Sequence, residues 1–271
     1  CTSAFSQEID LVAVVGKNPL LGMGYDSEKE LRAGQCLTGT VTEVGQQTSH
    51  IDLTMAISQK ELERDLGMGA GFRYRSGMTT TSASAKFAKS SKSTSFSISS
   101  IYSGNYIVKD KVFSAPAVNE LGQRLLSNPE RFKKTCGDYY TMVQTFGAKI
   151  YFSIRIDFKT QESKQEFEAK FNLSGPMMDI GARLNQRKNE FSKDTQVTVQ
   201  ALQIGGDVSK LSQIFNKPGS NADGEASFEF VKCSFGDLEK CEKVLANAIN
   251  YATNIDTGFP SQISQGANAA L

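Results

Sequence analysis

The stretch CGDYYTMVQTFGA, residues 136–148, is followed directly by KIYFSIRIDF, residues 149–158. In the second stretch polar and apolar residues alternate, which is typical of a β-strand with two different faces. In the first stretch Gly137 and Gly147 bracket a pair of tyrosines. Glycine inside a strand permits a sharp bend or a close packing contact. We therefore predict that Gly137 and Gly147 bracket a strand that bends.

The tyrosine pair and a second pair of glycines extend this prediction. Neighbouring side chains of a strand point to opposite faces, so one of Tyr139 and Tyr140 should pack under covering helices and the other should face outward. Gly205 and Gly206 follow the strand-like VTVQALQI. We expect them to bend or pack the far end of that strand in the same way.

The composition restricts the class of protein. The chain has 271 residues, with 30 Lys and Arg against 29 Asp and Glu. This balance gives no global field that attracts nucleic acid, so we expect no nucleic-acid partner. No apolar run approaches the roughly 18 residues of a transmembrane helix. Contact with a membrane must therefore come from an anchor, an amphipathic surface or strands contributed by several chains.

Local patterns predict both strands and helices. IDLVAVVG (residues 9–16), TGTVTEV, SHIDLTMAI and VTVQALQI are typical of strands. Ser58 and Glu61 have capping-box spacing at the start of a short helix. CSFGDLEKCEKVLANAINYAT ends in a strong helical repeat, for which we predict Asp237 as the N-cap.

The chain is predicted to form one domain with short ends. Residues 1–9 are an N-terminal tether, residues 10–260 the domain, and residues 261–271 a loosely structured tail. Two regions have an unusual composition and resemble inserts between strands. Residues 76–100 are dominated by Ser, Thr, Ala and Lys, and residues 159–196 mix charged and apolar groups.

Five cysteines, Cys1, Cys36, Cys136, Cys233 and Cys241, bear on location. A chain that starts with Cys fits a mature bacterial lipoprotein, in which that residue carries the acyl chains. An ordinary N-terminal Cys is the alternative. The other four allow three pairings in an exported protein; Cys233 with Cys241 is the most local, and Cys36 with Cys136 would follow. Buried thiols of a cytosolic protein are the alternative.

Catalytic constellations are missing from the sequence. His50 is the single histidine, and its place in an alternating strand predicts a surface imidazole. The glycine-rich residues 67–71 follow a helix rather than a strand and lack the third spaced glycine of a dinucleotide loop. No phosphate-loop, zinc-protease or nucleophile-elbow motif is present. We therefore expect no enzyme activity, no cofactor and no catalytic metal.

The opening stretch resembles the signature of the membrane attack complex/perforin (MACPF) superfamily, which is related in fold to the cholesterol-dependent cytolysins. Gly137, Tyr140 and Gly147 match its first glycine, its aromatic residue and its next glycine at the right spacing. Other signature positions differ, at Cys136, Asp138, Tyr139 and Ala148. LGMGYD (residues 21–26) resembles the glycine-rich entry of such domains, and IGGD (residues 204–207) is similar to their closing Gly-Gly. The resemblance covers residues 10–260.

The resemblance implies a bent, twisted antiparallel sheet flanked by two helical clusters, each able to unfold into a membrane-spanning β-hairpin. It assigns residues 76–100 to the first hairpin and residues 159–196 to the second. A spanning hairpin needs roughly 20 residues and a turn, which both segments supply. Candidate membrane-facing residues are Phe87 in the first segment and Phe167, Ala169, Phe171, Leu173 and Met177, which alternate with polar residues, in the second. The alternative is that both segments are surface helices.

Two functions follow from the resemblance. The first is a secreted pore-forming toxin whose monomers bind a lipid membrane, directly or through a receptor, and assemble into a homo-oligomeric arc or ring. The second is a non-lytic surface or outer-membrane lipoprotein of the same fold, anchored through Cys1 and acting in assembly, adhesion or interaction. The poor alternation of residues 76–100 favours the second function. An exported enzyme is disfavoured by the missing catalytic motifs.

Overall fold

The computed structural model describes residues 21–29, 31–45, 48–66, 82–173, 175–193, 195–216, 222–223, 226–264 and 269–270. Cys1, the predicted strand at residues 9–16 and the glycine-rich residues 67–71 lie outside these ranges, so the predictions for them stay predictions. The backbone of His50 is described, but its side chain is not.

Strands of very different lengths build two sheets. They are β1 Gly24–Asp26, β2 Leu31–Arg32, β3 Leu37–Val44, β4 Thr48–Ile57, β5 Ser97–Val118, β6 Tyr139–Tyr140, β7 Val143–Asp157, β8 Gln196–Ile204, β9 Ala222–Asp223, β10 Ala226–Ser234 and β11 Ala269–Ala270. The main sheet has the order β3-β5-β7-β8-β10-β9, with β4 also paired to β5 and β11 to β7. The small sheet has the order β2-β1-β6. All of these pairs are antiparallel.

Strands β3 and β4 lie end to end along β5. The register of β3 runs from Leu37–Val118 to Val44–Asp110, and β4 continues it from Thr48–Ile107 to Ile57–Ile101. The 22-residue β5 therefore has one interrupted neighbour on this side and β7 on the other. Register shifts, which add local twist and bend, occur on β5 between Ile107 and Lys109 opposite β7.

Helices cover both faces of the sheet, which confirms the predicted α+β class. They are α1 Gln59–Asp65, α2 Ser82–Ser90, α3 Glu120–Leu125, α4 Pro129–Cys136, α5 Gln161–Lys170, α6 Met177–Arg187, α7 Ser209–Ile214, α8 Glu239–Thr253 and α9 Phe259–Ser264, with a 3-10 turn at Lys188–Glu190. We call the face under α5 to α9 the front face and the face under α1 and α2 the back face. The front core is the larger of the two. Among the residues described, its buried cluster has 32 members, and the cluster on the back face has ten.

The local helix signals gave mixed results. Ser58 caps α1 in a complete capping box with Glu61, as predicted. The predicted N-cap at Asp237 is wrong, because α8 begins one residue later, with Leu238 at the N-cap position and no side-chain cap. The predicted apolar repeat of that helix is confirmed, since Cys241, Leu245 and Ala248 are buried.

The predicted loose tail is wrong over its first part. Phe259–Ser264 form α9, and Phe259 and Ile263 are almost fully buried in the front core. Phe259 packs edge-on against Tyr106 of β5, with ring centroids 5.3 Å apart. Burying these apolar side chains outweighs the poor helix signals of FPSQIS.

Both predicted disulfides are present. Cys36 and Cys136 join the residue before β3 to the end of α4, and Cys233 and Cys241 join β10 to α8. Such bonds form and persist in oxidising compartments, which indicates a secreted or extracellular protein. Among the residues described, no helix is long and apolar enough to cross a membrane.

The two disulfides should differ in their contribution to stability. Cys36–Cys136 closes a loop of 100 residues and Cys233–Cys241 a loop of eight. Replacing the first pair with serine should lower the free energy of unfolding by about 4–5 kcal/mol, and replacing the second by about 2–3 kcal/mol, because the longer loop restricts the unfolded chain more. Urea unfolding of the two double variants tests the order. Equal losses, or a larger loss for Cys233–Cys241, would contradict it.

Candidate functional site

Two helical inserts leave the main sheet at the same end. Insert 1, residues 58–96, connects the end of β4 to the start of β5, and insert 2, residues 158–195, connects the end of β7 to the start of β8. The register pairs Ile57 with Ile101, Ser97 with Asp157, and Asp157 with Gln196. Each insert therefore joins two hydrogen-bonded antiparallel strands, and both inserts begin and end at the same end of these strands.

Insert 2 is held by an aromatic cluster on the front face. The ring of Phe167 in α5 lies 4.9 Å from Phe171, 4.7 Å from Phe191 and 5.3 Å from Phe158, measured between centroids. Phe235, which follows β10, completes the cluster at 6.1 Å. Phe167 is fully buried. Aromatic pairs at these separations are stabilising beyond the area they bury.

The strand period predicted for residues 167–177 is not used in this conformation. Phe167 and Phe171 are four residues apart and face the same core, as in a helix, whereas Ala169 between them is exposed. The helix is favoured locally, since Thr160 caps α5 and ion pairs link Lys164 to Glu168 and Lys170 to Glu166. Leu173 and Met177 are buried in the front core as well.

Insert 1 has a smaller apolar contact with the back face. Phe87 in α2 is fully buried and packs against Tyr151 and Phe228, with centroids 6.2 Å and 6.0 Å away. The other buried apolar side chains of α2 are alanines, Ala83 and Ala88. Burying one phenylalanine contributes about 1.5–3 kcal/mol.

The back face also contains polar groups beneath insert 1. The Tyr151 hydroxyl is buried with no hydrogen-bond partner among the residues described. Burial raises the pKa of this phenol and lowers the pKa of the Lys149 ammonium two residues before it. An unpaired buried hydroxyl costs about 1–3 kcal/mol. The back face therefore combines a smaller apolar contact with a buried hydroxyl that has no partner among the residues described.

The signature glycine Gly137 forms a close packing contact rather than a bend within a strand. It ends α4 with φ +80°, and a Cβ added there would lie 2.3 Å from the Tyr25 carbonyl oxygen. Opposite it, a Cβ on Gly24 would lie 1.8 Å from the Cys136 carbonyl oxygen. The glycine-rich entry at residues 21–26 and the signature stretch at residues 136–148 thus pack directly against each other, although they are far apart in sequence.

The tyrosine pair belongs to the small sheet. Tyr139 and Tyr140 form β6, which pairs with Tyr25 and Gly24 of β1. Tyr140 is exposed, with its ring edge-on to Phe113 at 6.2 Å, and Tyr139 is half-buried. The predicted continuous strand from residue 137 to residue 147 is therefore wrong, because β6 and β7 are separate strands in different sheets.

Asp138, where the signature has a hydroxyl residue, ties these two segments together. Its carboxylate accepts hydrogen bonds from the Ser27 amide at 2.8 Å and the Ser27 hydroxyl at 2.6 Å. Burial raises the pKa of Asp138, but the hydrogen bonds from Ser27 and the charge of Lys133 outweigh it, so the pKa lies below its usual value. The carboxylate is thus a structural acceptor at neutral pH.

The other signature glycines lie in different settings. Gly147 is buried inside β7, next to the register shift of β5, and pairs with Ile107 and Ala269. Gly205 and Gly206 have φ +79° and +71° directly after β8 ends. They form a turn toward α7 rather than a bend within the strand, and Gly206 makes a close packing contact there, since an added Cβ would lie 2.7 Å from Oε1 of Gln262. The side chain of Gln203 donates to the Gly205 carbonyl oxygen and holds this turn.

The sequence reasoning missed three polar side chains at the base of the inserts. Arg155 of β7 and Gln200 of β8 contact Ser90, the last residue of α2, and Arg155 and Lys164 of α5 contact the chain between α2 and β5. A sequence signal was present for Arg155. The positions of β7 that face the back of the sheet read Lys, Tyr, Ser, Arg and Asp, and such polar side chains need hydrogen-bond partners wherever helices cover them. In the described ranges, no three His, Cys, Asp or Glu side chains are placed to hold a metal ion.

Comparisons with protein-family models, with curated proteins and with solved structures found no match to this chain. The function of the chain is therefore inferred from the geometry of the inserts and from the sequence signature.

The Gly137 contact should be sensitive to a single methyl group. Gly137→Ala places a Cβ against the Tyr25 carbonyl at positive φ, so we expect a loss of at least about 2 kcal/mol in the free energy of unfolding. Gly236→Ala is the matched control, since its Cβ would meet no atom closer than 3.4 Å, and should change stability by less than about 1 kcal/mol. Urea unfolding measures both, and similar values for the two variants would contradict the close contact.

Proposed function

We propose that this chain is a pore-forming-type protein of the MACPF and cholesterol-dependent cytolysin kind. It binds a lipid membrane, assembles into a homo-oligomeric arc or ring, and inserts two β-hairpins per subunit. It acts without catalysis or a cofactor.

The arrangement of the inserts carries this proposal. Both interrupt antiparallel neighbours, β4 with β5 and β7 with β8, at the same end of one sheet. If either insert became extended, it would lengthen an existing hairpin in register, and both hairpins would grow in the same direction. Each insert has roughly forty residues, about twice the length that a spanning hairpin needs. No new strand order is required for the transition.

The buried residues of insert 2 supply the apolar surface for such a hairpin. Phe167, Phe171, Leu173 and Met177 are buried in the folded form. In an extended chain they point to one side, where contact with lipid replaces the lost contacts of the front core. Exposing them to water is unfavourable, which favours release only at a membrane.

Oligomer formation follows from the strand edges. In lipid every backbone amide and carbonyl must be hydrogen-bonded, so hairpins from one subunit must pair with those of its neighbours. Strand β3 is an edge strand of the main sheet whose side chains are largely exposed. Exposed edges of this kind pair readily with another chain.

A non-lytic lipoprotein of the same fold is the second candidate. The specific observation in its favour is the composition of α2, whose single large apolar side chain is Phe87 and which also includes Lys86 and Lys89. Such a segment is a poor spanning strand. This candidate also depends on acylation of Cys1, which mass spectrometry of the native N-terminus tests.

Dye release from liposomes tests pore formation, with a disulfide that holds insert 2 closed. A Cβ at Gly181 of α6 would lie 3.3 Å from Cδ2 of Leu245 in α8, so Gly181→Cys with Leu245→Cys places one thiol on the insert near one on the scaffold. Loss of both free thiols on oxidation verifies that the bond has formed. The native protein should release dye, and the oxidised variant should release no more than protein-free liposomes. Mild reduction of the added bond should restore release, because α6 is then free to leave.

Controls separate membrane binding from insertion. Tethering the protein through a polyhistidine tag to nickel-chelating lipids supplies binding without a receptor. Each single cysteine variant controls for the substitution itself. Ring formation on these liposomes with no dye release by the native protein would exclude the lytic function and favour the lipoprotein. Equal release by the oxidised and reduced double variants would exclude insert 2 from the mechanism.

A further inference from the structure

Side chains from the strands bind the end of α2, in addition to the hydrogen bonds of its own last turn to the Phe87 carbonyl oxygen. The last carbonyl groups of a helix have no partner within the helix. Here Arg155 donates through Nη1 to the carbonyl oxygens of Ser90, at 3.0 Å, and Lys92, at 3.3 Å. Gln200 donates to the same Ser90 oxygen at 3.4 Å and accepts from the Ser90 hydroxyl. A cation at this end of a helix is also favoured by the helix dipole.

Asp157 fixes the orientation of the Arg155 guanidinium. Its Nε and Nη2 atoms donate to one carboxylate oxygen of Asp157, at 2.9 Å and 2.7 Å. The planar group then has Nη1 left to bridge two carbonyls. Arg155 is largely covered, with 22% of its side chain exposed, and Gln200 is buried. Charge-assisted hydrogen bonds at covered sites are stronger than those in open water.

A third side chain connects this region to insert 2. Lys164 of α5 donates to the Thr94 carbonyl oxygen at 3.1 Å, in the turn that joins α2 to β5. Thr94 is bonded to Ser97, the first residue of β5. The same short turn is therefore held by β7, by β8 and by the first helix of insert 2.

We propose that Arg155, Gln200 and Lys164 form a polar latch that keeps insert 1 closed and couples its release to that of insert 2. Apart from the latch, α2 is held by Phe87, Ala83 and Ala88 in the back core and by Gln59 of α1, whose side-chain amide donates to the Ala88 carbonyl oxygen at 3.1 Å. Movement of α5 removes the Lys164 contact. The proposal adds regulation to the proposed function and rests on it, since it concerns the same inserts.

Hydrogen exchange followed by mass spectrometry, without any membrane, tests the latch directly. Arg155→Met should raise the opening of α2, read from exchange of the Ser82–Ser90 amides, by about tenfold or more. Arg124→Met is the control, because Arg124 is 77% exposed and its one ion pair among the residues described is with Glu120, one turn away. Exchange of α8, Glu239–Thr253, should be unchanged in both variants, which shows that the scaffold is folded.

A matched pair of variants tests the coupling between insert 1 and insert 2. Lys164→Met removes the contact with Thr94 and should raise exchange of α2 by about threefold or more. Lys170→Met lies on the same helix and removes a similar pair with a glutamate four residues away, but has no contact with this turn. It should leave α2 unchanged. Identical exchange of α2 in these two variants would overturn the coupling.

The latch as a whole is overturned if α2 exchanges no faster in folded Arg155→Met than in Arg124→Met. If Arg155→Met fails to fold, Arg155→Lys replaces it, since lysine retains the charge but cannot bridge two carbonyls and Asp157 together; unchanged exchange in that variant has the same meaning. Dye release distinguishes the two proposals. If α2 exchanges faster in Arg155→Met but the native protein never releases dye, the latch is supported and the pore is refuted. If the native protein releases dye but exchange of α2 is unchanged in Arg155→Met, the pore is supported and the latch is refuted.

Discussion

The hydrogen-bonded ladder between β5 and β7 is the interaction on which the rest of the structure depends. It runs from the Ser97–Asp157 pair to the Val112–Val143 pair. Alternate side chains of both strands face the two helical layers, with Tyr102 and Ile150 in the front core and Tyr151 in the back core. A slip of one residue would exchange the two faces. One register therefore sets both cores and the position from which both inserts leave.

The two ends of this sheet are built differently. At the end away from the inserts, chain segments are fixed by close glycine contacts and by Cys36–Cys136. Cys233–Cys241 lies at the end from which the inserts leave, since Cys233 pairs with Val197, and it ties α8 to β10. Neither disulfide includes a residue of insert 1 or insert 2. The covalent crosslinks thus stabilise the scaffold and leave the inserts held by packing and hydrogen bonds alone. A protein that refolds part of itself requires this division, because the moving part must lose its contacts without unfolding the rest.

The two inserts are held in different ways. Insert 2 buries a cluster of aromatic rings, so its folded state is stabilised mainly by removal of apolar surface from water. Insert 1 buries Leu62, Leu66 and Phe87 in the smaller back core, is held by hydrogen bonds at the end of α2, and lies over a tyrosine hydroxyl that has no partner among the residues described. An apolar environment competes for buried aromatic rings but strengthens covered hydrogen bonds. In the proposed insertion, the proposed coupling between the inserts would therefore decide whether they move together.

The sequence by itself determined the features that depend on a few neighbouring residues. The capping box at Ser58, the alternation of KIYFSIRIDF and the local Cys233–Cys241 pair could all be predicted, because their signals act within about ten residues. The mixture of strands and helices followed from many such signals together, whereas the antiparallel sheet was what the resemblance implied. Only the tertiary structure decided the state of residues 167–177, whose spacing suits both a strand and a helix. The rings of Phe158, Phe191 and Phe235, distant in sequence, select the helix by burying Phe167. Likewise Gly137 is required by the Tyr25 carbonyl more than a hundred residues away, a contact that no local pattern contains.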